Sequence, residues 1–166
     1  NQGKGAAIKH GFKQARGEWV GFADADGSTS ASEVFRLAQM TAESSFDGVF
    51  GSRVKMLGYN IERKLIRHLT GRIFITCVSW GLHVPVYDSQ CGCKFFRKNK
   101  VIGLIELCKE KGFLLDLELI VLGIQNHLKF VEIPIHWKEI PGSKVNILTD
   151  GIKMFWGILR IKRHLK

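Results

Sequence analysis

A chain of 166 residues that is 45% apolar and 24% charged, with 18 glycines and only 3 prolines, can bury one sizeable core and is too apolar to stay disordered. Its 25 lysines and arginines outnumber 15 acids, and the resulting net charge of +10 points to phosphate-bearing partners: nucleic acid, anionic lipid or nucleotides. No run of about 18 apolar residues offers a membrane span. Cys77, Cys91, Cys93 and Cys108 form neither paired CxxC motifs nor a zinc-ligand set, which fits reduced cytosolic thiols.

The chain opens on Asn1 rather than Met, within what reads as a functional loop, so it is expected to be part of a longer product. Asn1-Gln2-Gly3-Lys4-Gly5-Ala6 precedes a helix predicted over 6–15, with Gly17 as its stop. Gly3 and Gly5 would let backbone N–H groups at the positive helix end approach an anion, although a plain turn reads equally well. Residues 19–23 read as a strand buried on both faces, ending at Asp24-Ala25-Asp26-Gly27. Two carboxylates one residue apart at a strand end can hold Mg²⁺ or Mn²⁺ against a diphosphate, but a lone pair of this kind also caps turns.

Ser30 or Ser32 caps the next predicted helix, whose inner face is Val34, Leu37, Ala38 and Thr41. A strand over 46–52 leads to Arg53, where a guanidinium can clamp phosphate through two N–H groups or simply face solvent. Residues 61–82 predict one or two amphipathic helices with a basic first half (Arg63, Lys64, Arg67, His68, Arg72). Asp88-Ser89-Gln90-Cys91-Gly92-Cys93-Lys94 reads as a polar turn whose Asp88 or Gln90 faces a ligand. A strand over 91–97, helices near 100–110 and over 115–126, and a strand over 130–137 follow. The Pro141-Gly142-Ser143-Lys144 turn can contact phosphate, and 149–166 is a basic amphipathic helix of the kind that lies on membranes.

Taken in order, the loop at 1–6, Asp24-Ala25-Asp26-Gly27, Gly51-Ser52-Arg53, the 88–94 turn, Leu115-Asp116-Leu117-Glu118 and Glu132-Ile133-Pro134-Ile135 through Lys144 resemble family 2 glycosyltransferases of the GT-A fold. The nearest subgroup is that of dolichyl-phosphate β-glucosyltransferases and related polyprenyl-phosphate hexose synthases. The resemblance implies an α/β, Rossmann-like domain with a central, mostly parallel sheet flanked by helices. It implies that the first βαβ unit precedes Asn1, with 1–148 a partial catalytic domain and 149–166 a membrane-interface helix.

It further implies that Asp24 and Asp26 hold Mg²⁺ or Mn²⁺, and that Asp26, Asp88 and Arg53 are catalytic. Gly3, Lys4, Asp24, Gln90, Lys94, Ser143 and Lys144 are then expected to bind substrate. Cys93 departs from the pattern, which has an aromatic residue there. The implied reaction is inverting transfer of a hexose, glucose favoured, from UDP-glucose or GDP-mannose to a polyprenyl phosphate. The expected setting is the cytosolic face of a membrane: the plasma membrane in a prokaryote, the endoplasmic reticulum in a eukaryote. Nucleic acid is not expected as a partner, for no aromatic-and-basic binding strand is present. The rival readings are a non-catalytic remnant and transfer to a glycan hydroxyl.

Overall fold

The computed structural model describes residues 2–62, 65–140 and 147–165. The element order is α1 (Lys4–Gln14), β1 (Trp19–Ala23), α2 (Ala31–Glu43), β2 (Gly48–Ser52), β3 (Ile61–Glu62), α3 (Leu65–Leu82), β4 (Cys93–Arg97), α4 (Lys98–Leu107), α5 (Leu115–Gln125), β5 (Phe130–Pro134), β6 (Trp137–Lys138) and α6 (Ile147–His164). Ser30 caps α2 by accepting the Glu33 N–H at 3.2 Å, and Leu37 and Thr41 are buried beneath it as the apolar spacing requires. The amphipathic stretch at 61–82 resolves into the short β3 and the single helix α3.

The main sheet has the order β1-β4-β2-β5, with β4 antiparallel to both β1 and β2, and β2 parallel to β5. Strands β1, β2 and β5 therefore run one way, as a mostly parallel sheet requires. The reversed β4, inserted between two of them, makes the sheet mixed. Nor is β1 buried on both faces: it is the edge strand of the described sheet, and Val20 is its buried residue. The aromatic centre of the core joins these strands, with the Phe50 ring 5.1 Å from Phe96 and 5.0 Å from Phe130. Helix α5 is buried continuously from Leu115 to Gly123, so its sequence lacks a polar face.

The strand expected over 130–137 breaks after Pro134. Its backbone groups there find other partners: Arg36 Nη2 donates to the Pro134 carbonyl at 2.8 Å, and the His136 N–H donates to Glu33 Oε2 at 2.9 Å. The chain then joins β3 in a separate parallel pair, Ile61 opposite Trp137. Helix α6 packs on α3 and sends Ile158 and Ile161 into the main core. Its far end is tied down where His164 Nδ1 lies 3.0 Å from Glu118 Oε1, while the Glu118 carboxylate also accepts the Lys109 and Glu110 N–H groups.

Candidate active site

At the end of β1 the Asp24 N–H donates to the Gly92 carbonyl at 2.8 Å, continuing the β1–β4 pairing by one residue. The Asp24 carboxylate then lies over Gly92 so closely that a Cβ at position 92 would stand 1.9 Å from its Oδ2. Glycine in the Cys-Gly-Cys sequence is therefore a steric requirement of this carboxylate. Lys4, the first residue of α1, places its ammonium 2.6 Å from Asp24 Oδ1. Gly3 precedes it with φ +92°, a backbone conformation that favours glycine. Asp26 folds back in a turn, its Oδ1 accepting the Ser28 N–H at 2.9 Å around Gly27 at φ +76°.

Among the described residues no third carboxylate, histidine or cysteine completes a metal site with Asp24 and Asp26. The pair still suits Mg²⁺ or Mn²⁺. Both side chains are hard oxygen donors reachable from solvent, and Mg²⁺ commonly takes one or two carboxylates and fills its shell with phosphate oxygens and water.

A second charged element lies at the end of β2. Three donors of Arg53 converge on Asp88: its N–H at 2.9 Å and Nε at 2.7 Å meet Oδ2, and Nη2 meets Oδ1 at 2.8 Å. The guanidinium also stands 5.4 Å from the Trp137 ring centre. Burial works against both charges, but each partner overrides it for the other. Asp88 falls to a pKa of about 2 beside Arg53, and Arg53 is held above its ordinary range by Asp88. A carboxylate with so low a proton affinity and both oxygens engaged is no base at neutral pH. Asp88, expected to be catalytic, holds Arg53 in place through these three hydrogen bonds.

Among the described residues, the buried side-chain polar atoms without a hydrogen-bond partner are Ser52 Oγ, Ser89 Oγ and Gln90 Nε2. All three flank Arg53 or Asp88 in sequence. Such atoms are costly unless a ligand or water meets them, and one of the three, Gln90, faces a cavity. Gln90 lines a cavity of about 270 Å³ together with Arg53, Lys55, Arg72, Tyr87 and Asp88. This cavity shares Arg72, Ile75 and Tyr87 with an open groove of about 530 Å³ that runs to Trp80 at the end of α3. The Arg72 guanidinium rests 4.6 Å over the Tyr87 ring where the two meet.

Sequence reasoning and structure differ at Lys94. Expected to bind substrate, it has 0% side-chain exposure, and its ammonium is taken up by Asp116 Oδ2 at 2.7 Å and by the Cys91 carbonyl. Lys94 is an internal brace that joins β4 to α5. Ser143 and Lys144 lie outside the described residues. Arg72, Tyr87 and Glu132 were not foreseen at the site; the visible signal for the last was an acid within the apolar strand Phe130–Pro134. Cys91 and Cys93 are buried, and burial pushes their thiols up to about 11 and about 12, so neither is a ready nucleophile or ligand.

Residues 1–102, which carry both charged elements, match the family described as Glycosyl transferase family 2. The chain belongs to this family. Among curated proteins it is similar to the dolichyl-phosphate beta-glucosyltransferase of Saccharomyces cerevisiae, 33% identical over 93% of this chain and 50% of that protein. It is also similar to the protein of the same name from Drosophila melanogaster, 33% identical over 99% of this chain and 50% of that one, and to the Homo sapiens protein at 28% identity. The chain thus spans about half the length of the curated relatives it matches. Among solved structures, glucosyl-3-phosphoglycerate synthase from Mycobacterium tuberculosis in complex with UDP superposes with a TM-score of 0.71 over 96% of this chain and 55% of that one. At 13% identity that likeness concerns the fold, and it bears out the GT-A architecture expected from the family 2 motifs.

Proposed function

We propose that this family 2 chain carries the part of a dolichyl-phosphate glucosyltransferase that moves glucose from UDP-glucose to a polyprenyl phosphate. The observation that carries the reading is the Arg53–Asp88 pair, opening on a cavity that it lines together with Lys55, Arg72 and Gln90, whose buried Nε2 has no hydrogen-bond partner. It is the seat of a phosphate acceptor. The donor diphosphate belongs at Asp24, Asp26 and the start of α1, near enough that the Asp24 charge acts on Arg53. Bound Mg²⁺ or Mn²⁺ at Asp24 and Asp26 would supply positive charge to the leaving diphosphate.

The acceptor's phosphate oxygen forms the new bond to the anomeric carbon while the bond to the diphosphate breaks, with inversion. A phosphate monoester is already anionic at neutral pH, so no strong general base is required. This agrees with an Asp88 that cannot serve as one, and it weighs against a sugar or protein hydroxyl as acceptor. Arg53, Lys55 and Arg72 orient and neutralise the incoming phosphate.

A lipid-linked acceptor explains the outer surface. Trp80 of α3, 85% exposed, and Ile152 and Phe155 of α6 stand in water, and the exposed Trp156 lines a surface hollow with Lys162 and Arg163. No helix among the described residues is long and apolar enough to cross a membrane. An amphipathic surface of this kind binds anionic lipid from one side, here the cytosolic face of the endoplasmic reticulum.

The test is transfer of labelled sugar to a polyprenyl phosphate by the full-length protein, with UDP-glucose and GDP-mannose in turn and with Mg²⁺ or Mn²⁺. Metal-dependent product from UDP-glucose, lost in Asp26→Ala, is expected. Absence of product with either donor would sink the reading.

A further inference from the structure

The site holds an acid to which neither the family resemblance nor the transfer chemistry gives a task. Glu132 lies in β5, opposite Phe50 of β2, and its two carboxylate oxygens take two consecutive backbone donors of the 88–94 turn and its approach. The Tyr87 N–H donates to Oε2 at 2.6 Å and the Asp88 N–H donates to Oε1 at 2.7 Å. Both contacts are short for N–H donors, as expected when the acceptor is charged.

These two amides govern two of the three cations that line the cavity, Arg53 and Arg72. The Asp88 backbone sets the carboxylate that receives three donors from Arg53. The Tyr87 backbone sets the ring on which Arg72 rests at 4.6 Å. We propose that Glu132 is a positioning residue for the acceptor phosphate: by fixing the backbone at Tyr87 and Asp88 it places Arg53 and Arg72 at one cavity. The inference rests on reading that cavity as the acceptor site.

The chemistry explains why the residue is an acid. Each of the two adjacent N–H groups meets its own oxygen, an arrangement that a carboxylate matches with two acceptor atoms. Glutamine of the same shape would bring one acceptor and one NH₂, setting donor against donor at one amide. The loop would shift to relieve that contact, and Arg53 and Arg72 would shift with it.

The experiment is calorimetric titration of the full-length protein with citronellyl phosphate, a soluble short isoprenyl phosphate, and separately with UDP and Mg²⁺. Glu132→Gln is expected to weaken citronellyl phosphate binding by about tenfold, the scale of one unsatisfied polar group, while UDP binding is unchanged. Glu132→Asp keeps both acceptors one methylene short, so it should lose less than Glu132→Gln. An unchanged affinity for citronellyl phosphate in Glu132→Gln, or equal weakening of both ligands, overturns the positioning role. Failure of the unaltered protein to bind citronellyl phosphate overturns the acceptor-site reading itself, and this inference with it.

Discussion

The two acidic elements at the sheet's edge are held in opposite ways. Asp24 and Asp26 keep much of their surface in solvent and are fixed by a turn, a seat over Gly92 and one ammonium that a ligand can displace. Asp88 is buried, receives three donors from Arg53, and has its own N–H anchored on Glu132. The contrast matches the tasks assigned to them. Under the proposed division, a donor site at Asp24 and Asp26 would exchange Lys4 for metal and diphosphate at every turnover, whereas an acceptor site gains from cations that stay in place before the phosphate arrives. Fully buried Lys94–Asp116 marks the structural extreme of the same series.

That series orders the stability effects. Lys94→Met should be the most destabilising change, by about 3–5 kcal/mol in urea unfolding, because Asp116 is left buried without its cation. The double change Lys94→Met with Asp116→Leu should recover most of the loss, and failure to recover it would show that the pair does more than balance charge. Arg53→Ala comes next, about 2–4 kcal/mol, and should also abolish transfer. Asp88 adds an acid-dependent share. Its folded pKa is lowered from 3.8 to about 2, so its contribution is complete above about pH 4 and is lost as pH falls through 2. The amount is on the order of 2 kcal/mol and should vanish from the acid-unfolding profile of Asp88→Asn. Asp24→Asn should be the mildest, under about 1 kcal/mol, because its ion pair with Lys4 is partly exposed. It should nonetheless slow metal-dependent transfer while leaving a measurable remainder.

Local pattern made much of this structure legible. The strand at Trp19–Ala23, the Ser30 cap and the helix beginning at Leu115 follow from apolar spacing and capping chemistry that lie within a few residues of one another. The direction and place of β4 were not legible, since nothing in Cys93–Arg97 states which strands it joins. Lys94 misled for the same reason. A lysine in a polar turn reads as a solvent-facing cation until Asp116, 22 residues away, is brought against it. Arg53, Asp88 and Gln90 were all singled out from their motifs, but the bond that joins Asp88 to Arg53 spans 35 positions and was not legible. Glu132 carried a signal, an acid in an otherwise apolar strand, without any indication of what it held.

The most direct test of two sites with two tasks is a pair of Michaelis constants, measured for UDP-glucose and for polyprenyl phosphate in the full-length protein, in Asp24→Asn and in Arg53→Lys. Both variants must retain measurable transfer when assayed at high enzyme concentration. The account predicts that Arg53→Lys raises the acceptor constant about tenfold and leaves the donor constant alone, because lysine keeps the charge but not the fork held by Asp88. Asp24→Asn should do the reverse. If both variants move the same constant, donor and acceptor are not divided between these two carboxylate elements, and the assignment of Arg53 to the acceptor phosphate is wrong.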